Sequence, residues 1–313
     1  MNWKQLLTRL AGGLTLAVAS AGCATTSAQE DTAETIVAPT GPALWQVSDE
    51  DTTIYLFGTV HLLPQGLTWY EGPVANALAA SEEYVTEIDM AFAEADTSGQ
   101  PSPEAAQLAM KMAGAAMFVD GRKLTDVMTD ADRKKYAELV MSYGIPAETF
   151  DRFEPWFSAL TLSMLPLQAQ GYDANSGVEV ELGKAVGDKK RTALESVDEQ
   201  IAIFDSMPMD VQLRYLNQTV EGAPNVVALM NDVVKAWKVG DVDKIAKLMI
   251  NDMDDGVADR LLLQRNDRWA DWIAARMDEP GTVFVAVGAG HLAAKGSVQD
   301  ELAERGLTVT RVQ

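Results

Sequence analysis

The feature that most constrains this chain is a repeated motif that contains both of its histidines. His61 and His291 each follow a glycine by three residues, and both copies read G-x-x-H-L-x-x-x-G. Each copy comes directly after an apolar run, residues 54–57 and 283–287, that predicts a buried strand. Side chains at strand ends face the crevice in which open α/β sheets bind ligands. The motif therefore predicts a site for proton transfer or metal binding, although a single such histidine could simply be structural.

The regions around the two motifs predict the same order of elements, which is strand, G-x-x-H loop, helix and strand. Around His61 the pattern predicts strands at 44–47, 53–58 and 84–89 and a helix at 71–81. Around His291 it predicts a strand at 282–287, a helix at 297–305 ended by Gly306, and a strand at 307–312. Between them, residues 103–277 carry apolar side chains at helical spacing, with one β-like break at 191–195.

This order predicts an α/β fold in one domain, residues 42–312. We expect a central sheet built from two degenerate strand–GxxH–helix–strand halves, with a large helical insert at about 103–277. Right-handed crossovers between parallel strands would bring both histidine loops to one edge of the sheet. In each loop the opening glycine, Gly58 or Gly288, permits a sharp reversal and leaves room for a ligand beside the backbone. The many methionines of the insert are interpreted as core residues.

The N-terminus predicts export from the cytoplasm. Residues 1–22 combine two basic residues, a short apolar stretch and small residues, which is typical of a signal peptide. Cys23 is the only cysteine and follows Ala21-Gly22 as in bacterial lipoproteins, so 23–41 is interpreted as a lipidated cysteine with a flexible tether. We expect an outer-membrane lipoprotein that faces the periplasm and meets the membrane only through its lipid. Cleavage near Ala21, giving a periplasmic protein, is the alternative.

Charge and missing motifs exclude several classes of function. The formal net charge is −21 at pH 7, whereas nucleic-acid binding requires a basic face, so we expect no nucleic-acid partner. The sequence contains neither H-E-x-x-H nor a P-loop. A serine nucleophile with either histidine as its base stays open, although no G-x-S-x-G sequence supports it.

Charged residues near the predicted strand ends are candidate partners for the histidines. Glu87 closes the strand after the first motif and is predicted to ligate a metal or orient a ring. Asp89 is two residues further on, so it is expected to share a face of the strand with Glu87 and to support it. Glu195 follows an apolar pair and is predicted as a third carboxylate, or else as a cap of the next helix. Asp89 or Glu195 would accept a proton. Arg265 is expected to hold a substrate carboxylate or a site acid, with a surface salt bridge as the alternative.

Several segments of the chain resemble the TraB/PrgY/GumN family. They are residues 44–47, 55–61, 86–89, 176–179, 194–200, 263–266 and 287–296. The family is similar to the Tiki metalloproteases of animals and, more distantly, to erythromycin esterase-like hydrolases. The resemblance implies an α/β core with His61, Glu87 and His291 in one pocket. At Val178-Glu179 the chain departs from the aspartate that many members carry, so no role is predicted for an acid there.

We therefore expect a cell-envelope hydrolase, a metal-dependent peptidase in keeping with the Tiki resemblance. His61, Glu87 and His291 would hold a divalent ion (Mn, Co or Zn) with an open position for water, and Arg265 would position a peptide or a small ester or amide. Two alternatives stay open. One is a metal-independent esterase with His61 as general base, and the other is a non-catalytic envelope protein that binds and sequesters peptides.

Overall fold

The computed structural model describes residues 41–89 and 103–313. The predicted signal peptide, Cys23 and all but the last residue of the predicted tether lie outside these residues. Within the two described ranges, no helix combines the length and apolar character needed to cross a membrane.

A six-stranded mixed sheet forms the centre of the domain. Its strands are β1 (Leu44–Ser48), β2 (Thr52–Thr59), β4 (Glu83–Thr86), β6 (Lys190–Ala193), β7 (Gly281–Gly288) and β8 (Val309–Arg311). They lie in the order β6-β4-β7-β2-β1-β8. The adjacent strands β6, β4, β7 and β2 are parallel to one another, while β1 is antiparallel to both β2 and β8. Two short strands, β3 (Leu63–Pro64) and β5 (Tyr172–Asp173), pair separately.

Helices cover the sheet and make up most of the segment between β4 and β7. They are α1 (Gly72–Ala80), α2 (Pro103–Ala115), α3 (Leu124–Val127), α4 (Asp130–Ser142), α5 (Pro155–Ala169), α6 (Val178–Val186), α7 (Val197–Asp205), α8 (Met209–Gly222), α9 (Val226–Lys238), α10 (Val242–Met249), α11 (Asp255–Ala258), α12 (Gln264–Arg276) and α13 (Val298–Glu304). A π-helical turn, Asp259–Leu263, leads into α12, and a 3-10 turn, Ala289–Leu292, follows β7. Serine N-caps with capping boxes begin α7 and α13.

The sheet is buried on both faces because alternate residues of its strands enter two different apolar clusters. Phe57 and Phe284 pack on one face together with Trp237 of α9. Ile54 lies on the other face, in the cluster that contains Trp269 of α12. The insert has an apolar cluster of its own, built mainly by α2, α4, α5, α7 and α8. The central sheet and the helical insert therefore have separate cores.

The structure confirms the α/β fold class and refines the predicted elements. The strand expected at 84–89 ends at Thr86, whose hydroxyl donates to the carbonyl of Ile88 at 2.6 Å and turns the chain. The break expected at 191–195 is β6, which pairs with β4, so the insert also supplies an edge strand. The two-half arrangement stays a prediction. In the first half one strand, β7, lies between β2 and β4. In the second half two strands, β2 and β1, lie between β7 and β8, so the strands of the two halves do not occupy equivalent positions in the sheet.

Candidate active site

The two histidine loops lie side by side at the carboxyl edge of the sheet. Strands β2 and β7 are parallel neighbours, and Thr59 is opposite Gly288 at their ends. A Cβ atom placed on Gly288 would lie 3.6 Å from Nε2 of His61 and 3.6 Å from Cδ2 of His291. The fold therefore brings both imidazoles to one place, although 229 residues separate them in the sequence (positions 61 and 291).

The glycines that open the two motifs allow close approach of backbone and side chains. A Cβ atom on Gly58 would lie 3.1 Å from Cα of Ala289, so this glycine lets the second loop pack against the first. A Cβ atom on Gly288 would lie 3.1 Å from Oε1 of Glu87. The amide of Gly288 donates to that same oxygen at 2.7 Å. Both glycines thus keep space for contacts that a side chain would push apart.

His61 is held through one ring nitrogen and turned toward a cavity with the other. Its Nδ1 donates to Oε1 of Glu179 at 2.5 Å, and only 10% of its side chain is exposed. Burial disfavours the charged imidazole, but the Glu179 carboxylate outweighs burial and raises the pKa of His61 above 6.5. Because Nδ1 carries the proton toward Glu179, Nε2 is left to accept a proton from a group in the cavity.

Glu179 reaches His61 because its helix begins directly beside the first histidine loop. Gly177 is the N-cap of α6, and the next amide, that of Val178, donates to the carbonyl of Val60 at 3.1 Å. A Cβ atom on Gly177 would clash with the carbonyl oxygen of His61. The absence of a side chain at Gly177 therefore sets the distance between the helix and the loop.

We expect Gly177→Ala to push α6 away from the loop and to lower the free energy of unfolding by about 2 kcal/mol, the cost of overpacking. Urea unfolding followed by circular dichroism measures this loss. Gly114→Ala is the matched control, because Gly114 lies exposed in α2 and a Cβ atom there meets nothing within 4 Å. That control should gain about 0.5–1 kcal/mol from the lower chain entropy of alanine. Equal stabilities for the two variants would contradict the packing argument.

Glu87 lies just beyond β4 and accepts hydrogen bonds on both carboxylate oxygens. Oε1 accepts from the amide of Gly288 at 2.7 Å, while Oε2 accepts from Arg265 at 2.6 Å and from Gln200 at 3.2 Å. Burial opposes ionisation, but Arg265, together with His291 and His61, lowers the pKa of Glu87 to about 2. Glu87 is therefore ionised at neutral pH and fixed in position by three donors.

Arg265 is buried, and each of its five N–H groups is bonded inside the protein. Nε and Nη2 donate to Glu195, Nη2 also donates to Glu87, and Nη1 donates to the carbonyl of Leu261 and to His291. The two carboxylates outweigh the effect of burial and raise the pKa of Arg265. We call Arg265, Glu87, Glu195 and His291 the arginine network. Of the two predictions for Arg265, the structure shows it bound to site acids rather than to a partner on the surface.

His291 is neutral and held in one orientation. Its Nδ1 donates to Oδ1 of Asn266 at 2.6 Å, and Asn266 in turn donates to the carbonyl of Gly296, the second glycine of the motif. Nε2 accepts from Arg265 at 3.1 Å. Burial and the nearby guanidinium lower the pKa of His291 to about 3. The ring also packs on Trp269, with ring centroids 4.3 Å apart.

The remaining acidic candidates differ in position. Glu195 is buried and accepts from Arg265, from Arg268 at 3.2 Å and from Trp269 at 3.2 Å, so it is part of the site. Asp89 is exposed and does not line the cavity. The strand ends before Glu87, so the expectation that Glu87 and Asp89 share one face of a strand is wrong.

A cavity of about 60 Å³ opens between the histidine loops. Its polar lining includes Thr59, His61, Glu87, Arg265 and His291, and the rest of the lining is mostly apolar. Thr59 is 2% exposed, and its hydroxyl has no hydrogen-bond partner among the residues that the structure describes. A buried hydroxyl without a partner is unusual because it loses its bonds to water. Neither Thr59 nor Glu179 was predicted as a site residue from the sequence.

The donor set does not fit the predicted metal ion in the arrangement described here. Within 41–89 and 103–313, no group of three or more His, Cys, Asp or Glu side chains is placed to hold a metal. Two of the three predicted ligands, Glu87 and His291, give lone pairs to the Arg265 guanidinium. A divalent cation beside that guanidinium would be repelled by its charge. The metal ion remains a prediction.

Fold and site together define an α/β protein with two histidine loops at the carboxyl edge of one parallel sheet segment. The chain belongs to the TraB/PrgY/gumN family, which it matches over residues 43–311. It is also similar to an uncharacterized protein of Treponema pallidum (strain Nichols), with 18% identity over 277 residues that cover 84% of this chain and 80% of that protein. No solved structure matches the chain.

Proposed function

We propose that this protein is a hydrolase of ester or amide bonds in which His61 is the general base. The observation that carries the proposal is the pair of His61 and Glu179, with Nδ1 bonded to the carboxylate at 2.5 Å and the ring lining the cavity. A histidine whose second nitrogen is held by a carboxylate is the arrangement used for proton transfer in acyl-transfer enzymes. The cell-envelope location rests on the sequence of residues 1–23 alone.

In the proposed reaction a water molecule in the cavity gives a proton to Nε2 of His61. The water oxygen forms a bond to the carbonyl carbon of the substrate, and the carbonyl oxygen takes up negative charge. The bond to the leaving group then breaks, and Nε2 returns its proton to the leaving alkoxide or amine. Glu179 stabilises the imidazolium that exists between these two transfers.

The hydroxyl of Thr59 is our candidate donor to the carbonyl oxygen. It is buried, it has no partner in the described part of the chain, and its residue lines the cavity beside His61. A buried donor that bonds to no other group can rotate to donate to that oxygen and stabilise the negative charge that develops on it. Arg265 serves as a positioning residue, because four of its five N–H groups hold Glu87, Glu195 and His291, and the fifth donates to the carbonyl of Leu261.

The test of the proposal is hydrolysis of a panel of p-nitrophenyl esters and peptide amides by the wild-type protein, before and after dialysis against a chelator. We expect hydrolysis of at least one member and an unchanged rate after chelation, because Arg265 occupies the lone pairs that a metal would need. Elemental analysis of the same samples should find less than one equivalent of Mn, Co or Zn per chain.

Each other outcome supports one of the alternatives. A rate that falls on chelation and returns with added Mn, Co or Zn would contradict the metal-free mechanism and support the metal-dependent peptidase. Binding of peptides without any product would contradict hydrolysis and support a sequestering protein.

A further inference from the structure

The cavity beside His61 has an apolar wall that the proposed chemistry does not use. The wall comes from α9, from the end of α10 with the segment after it, and from the π-helical turn. Its residues include Met230, Met249, Ile250, Met253, Leu261 and Leu262. Flexible methionines adapt to irregular apolar groups. The wall therefore offers a surface for the part of a substrate next to the scissile bond.

The π-helical turn Asp259–Leu263 connects this wall to the arginine network. Leu261 and Leu262 line the cavity from this turn, and the carbonyl of Leu261 accepts from Nη1 of Arg265 at 3.1 Å. Such turns insert an extra residue into a helix and occur often at functional sites. In this protein the π-helical turn therefore contacts both the cavity, through Leu261 and Leu262, and Arg265, through the carbonyl of Leu261.

The cavity is small. Its volume of about 60 Å³ is well below the roughly 150 Å³ of an engineered apolar cavity that holds benzene. An acyl chain of a few carbons matches this volume, whereas an aromatic ring or a long chain exceeds it.

The charges around the cavity disfavour an anionic substrate group. Glu87, Glu179 and Glu195 outnumber the nearby buried cations, Arg265 and a protonated His61. All five N–H groups of Arg265 are already bonded within the protein, so no guanidinium donor is left for a carboxylate. A second negative charge would be buried without a partner, which is costly.

From this wall, volume and charge we propose that the site is specific for uncharged, short-chain aliphatic acyl groups. The inference rests on the proposed function and adds its substrate class. The acyl chain would lie against Met230 and its neighbours while the carbonyl faces His61 and Thr59.

The first experiment compares kcat/KM for p-nitrophenyl acetate, butyrate, octanoate and hemisuccinate with the wild-type protein. We expect the butyrate ester to exceed the octanoate and hemisuccinate esters by at least about tenfold each, since a mismatch of this kind in a pocket typically costs that much. Hemisuccinate is the matched probe for charge, because its chain has nearly the length of butyrate. Preference for the octanoate or the hemisuccinate ester would overturn the inference.

The second experiment enlarges the cavity. Met230→Ala should raise the octanoate-to-butyrate ratio of kcat/KM by about tenfold, because it removes buried atoms from the wall. Met112→Ala is the matched control: Met112 is 3% exposed, against 2% for Met230, but it packs in the core of the insert. The control should lose similar stability and keep the wild-type ratio. If Met230→Ala does not fold, Met249→Ala replaces it in this experiment, because Met249 is a half-buried residue of the same wall.

A binding measurement separates failure of this inference from failure of the proposed function. Butyramide and octanamide are neutral, slowly cleaved probes whose binding to His61→Ala can be followed by NMR. If no ester is hydrolysed, the proposed function fails, and weaker binding of octanamide than of butyramide still supports the pocket. If both amides bind equally to this variant and to Met230→Ala, the pocket inference fails whatever the rate of hydrolysis.

Discussion

His61→Ala should lower kcat on the best ester by on the order of 10³-fold, the contribution that a positioned general base typically makes. Glu179→Gln should also lower kcat, by up to about 10⁴-fold, because the imidazolium loses its carboxylate and an amide can hold the ring in the wrong tautomer. Steady-state kinetics on purified variants measure both effects. Circular dichroism should show folded protein in each case, since His61 lies beyond the end of β2 and lines a cavity.

Glu181→Gln is the matched control for Glu179→Gln. Glu181 lies in the same first turn of α6, but its side chain is 44% exposed and pairs with Lys184 at the surface. The control should keep the wild-type rate within about twofold, because exposed ion pairs contribute little. A similar loss in both glutamate variants would show that helix α6, rather than the contact with His61, is responsible.

The pH profile distinguishes a general base from a structural histidine. A base acts only when deprotonated, so kcat/KM should rise with pH through the pKa of His61, which lies above 6.5. Burial alone would lower this pKa, and the Glu179 carboxylate raises it. Glu179→Gln should therefore move the rise to lower pH. A rise at the same pH in both proteins would contradict the role given to Glu179.

The largest expected effect on stability comes from Arg265→Met. The substitution leaves Glu87 and Glu195 buried without their main cationic partner, and breaking a buried ion pair in this way costs about 3–5 kcal/mol. Urea unfolding at neutral pH measures the loss. Arg268→Met is the matched control, because Arg268 also contacts Glu195 but has a side chain that is 50% exposed. We expect the control to lose less than about 1 kcal/mol.

The loss of stability at low pH should also distinguish Arg265→Met from Arg268→Met. Glu87 has a pKa of about 2 in the folded protein against an ordinary value of 4.5, so its stabilising contribution is complete above pH 4.5 and disappears toward pH 2. Arg265 is the main cause of that lowered pKa. Arg265→Met should therefore lose less stability between pH 4.5 and 2 than wild type or Arg268→Met does. Equal losses in all three proteins would mean that Arg265 does not hold Glu87 ionised.

The fold was predictable from the sequence where the signal is local. The apolar runs before the two G-x-x-H motifs predict β2 and β7, and turn residues predict where the neighbouring strands begin and end. The α/β class, and the edge of the sheet at which the site lies, therefore follow from the pattern. Glu195 and Arg265 were also named from their places beside apolar segments. Whether Arg265 meets a buried acid or a surface partner depends on contacts between distant segments, and the local pattern left that choice open.

The residues that the sequence did not reveal act across long separations. Glu179 contacts His61 from a helix more than a hundred positions further along the sequence. No role was predicted for Glu179, because the sequence at Val178-Glu179 differs from the pattern expected of the family. Gly177 was the available signal, since a glycine just before an acidic first turn suggests close backbone packing. Thr59 reads as an ordinary strand residue, and only the missing hydrogen-bond partner distinguishes it.

The position of β7 between β2 and β4 has a consequence for the order in which the parts of the site come together. The first histidine loop and Glu87 precede the helical insert in the sequence, yet the strand that lies between β2 and β4 is Gly281–Gly288, which follows the insert. Until that strand inserts, His61 has neither its neighbouring loop nor the amide that fixes Glu87. We therefore expect a chain cut before Gly281 to lack the assembled site, even though it contains His61, Glu87 and Arg265.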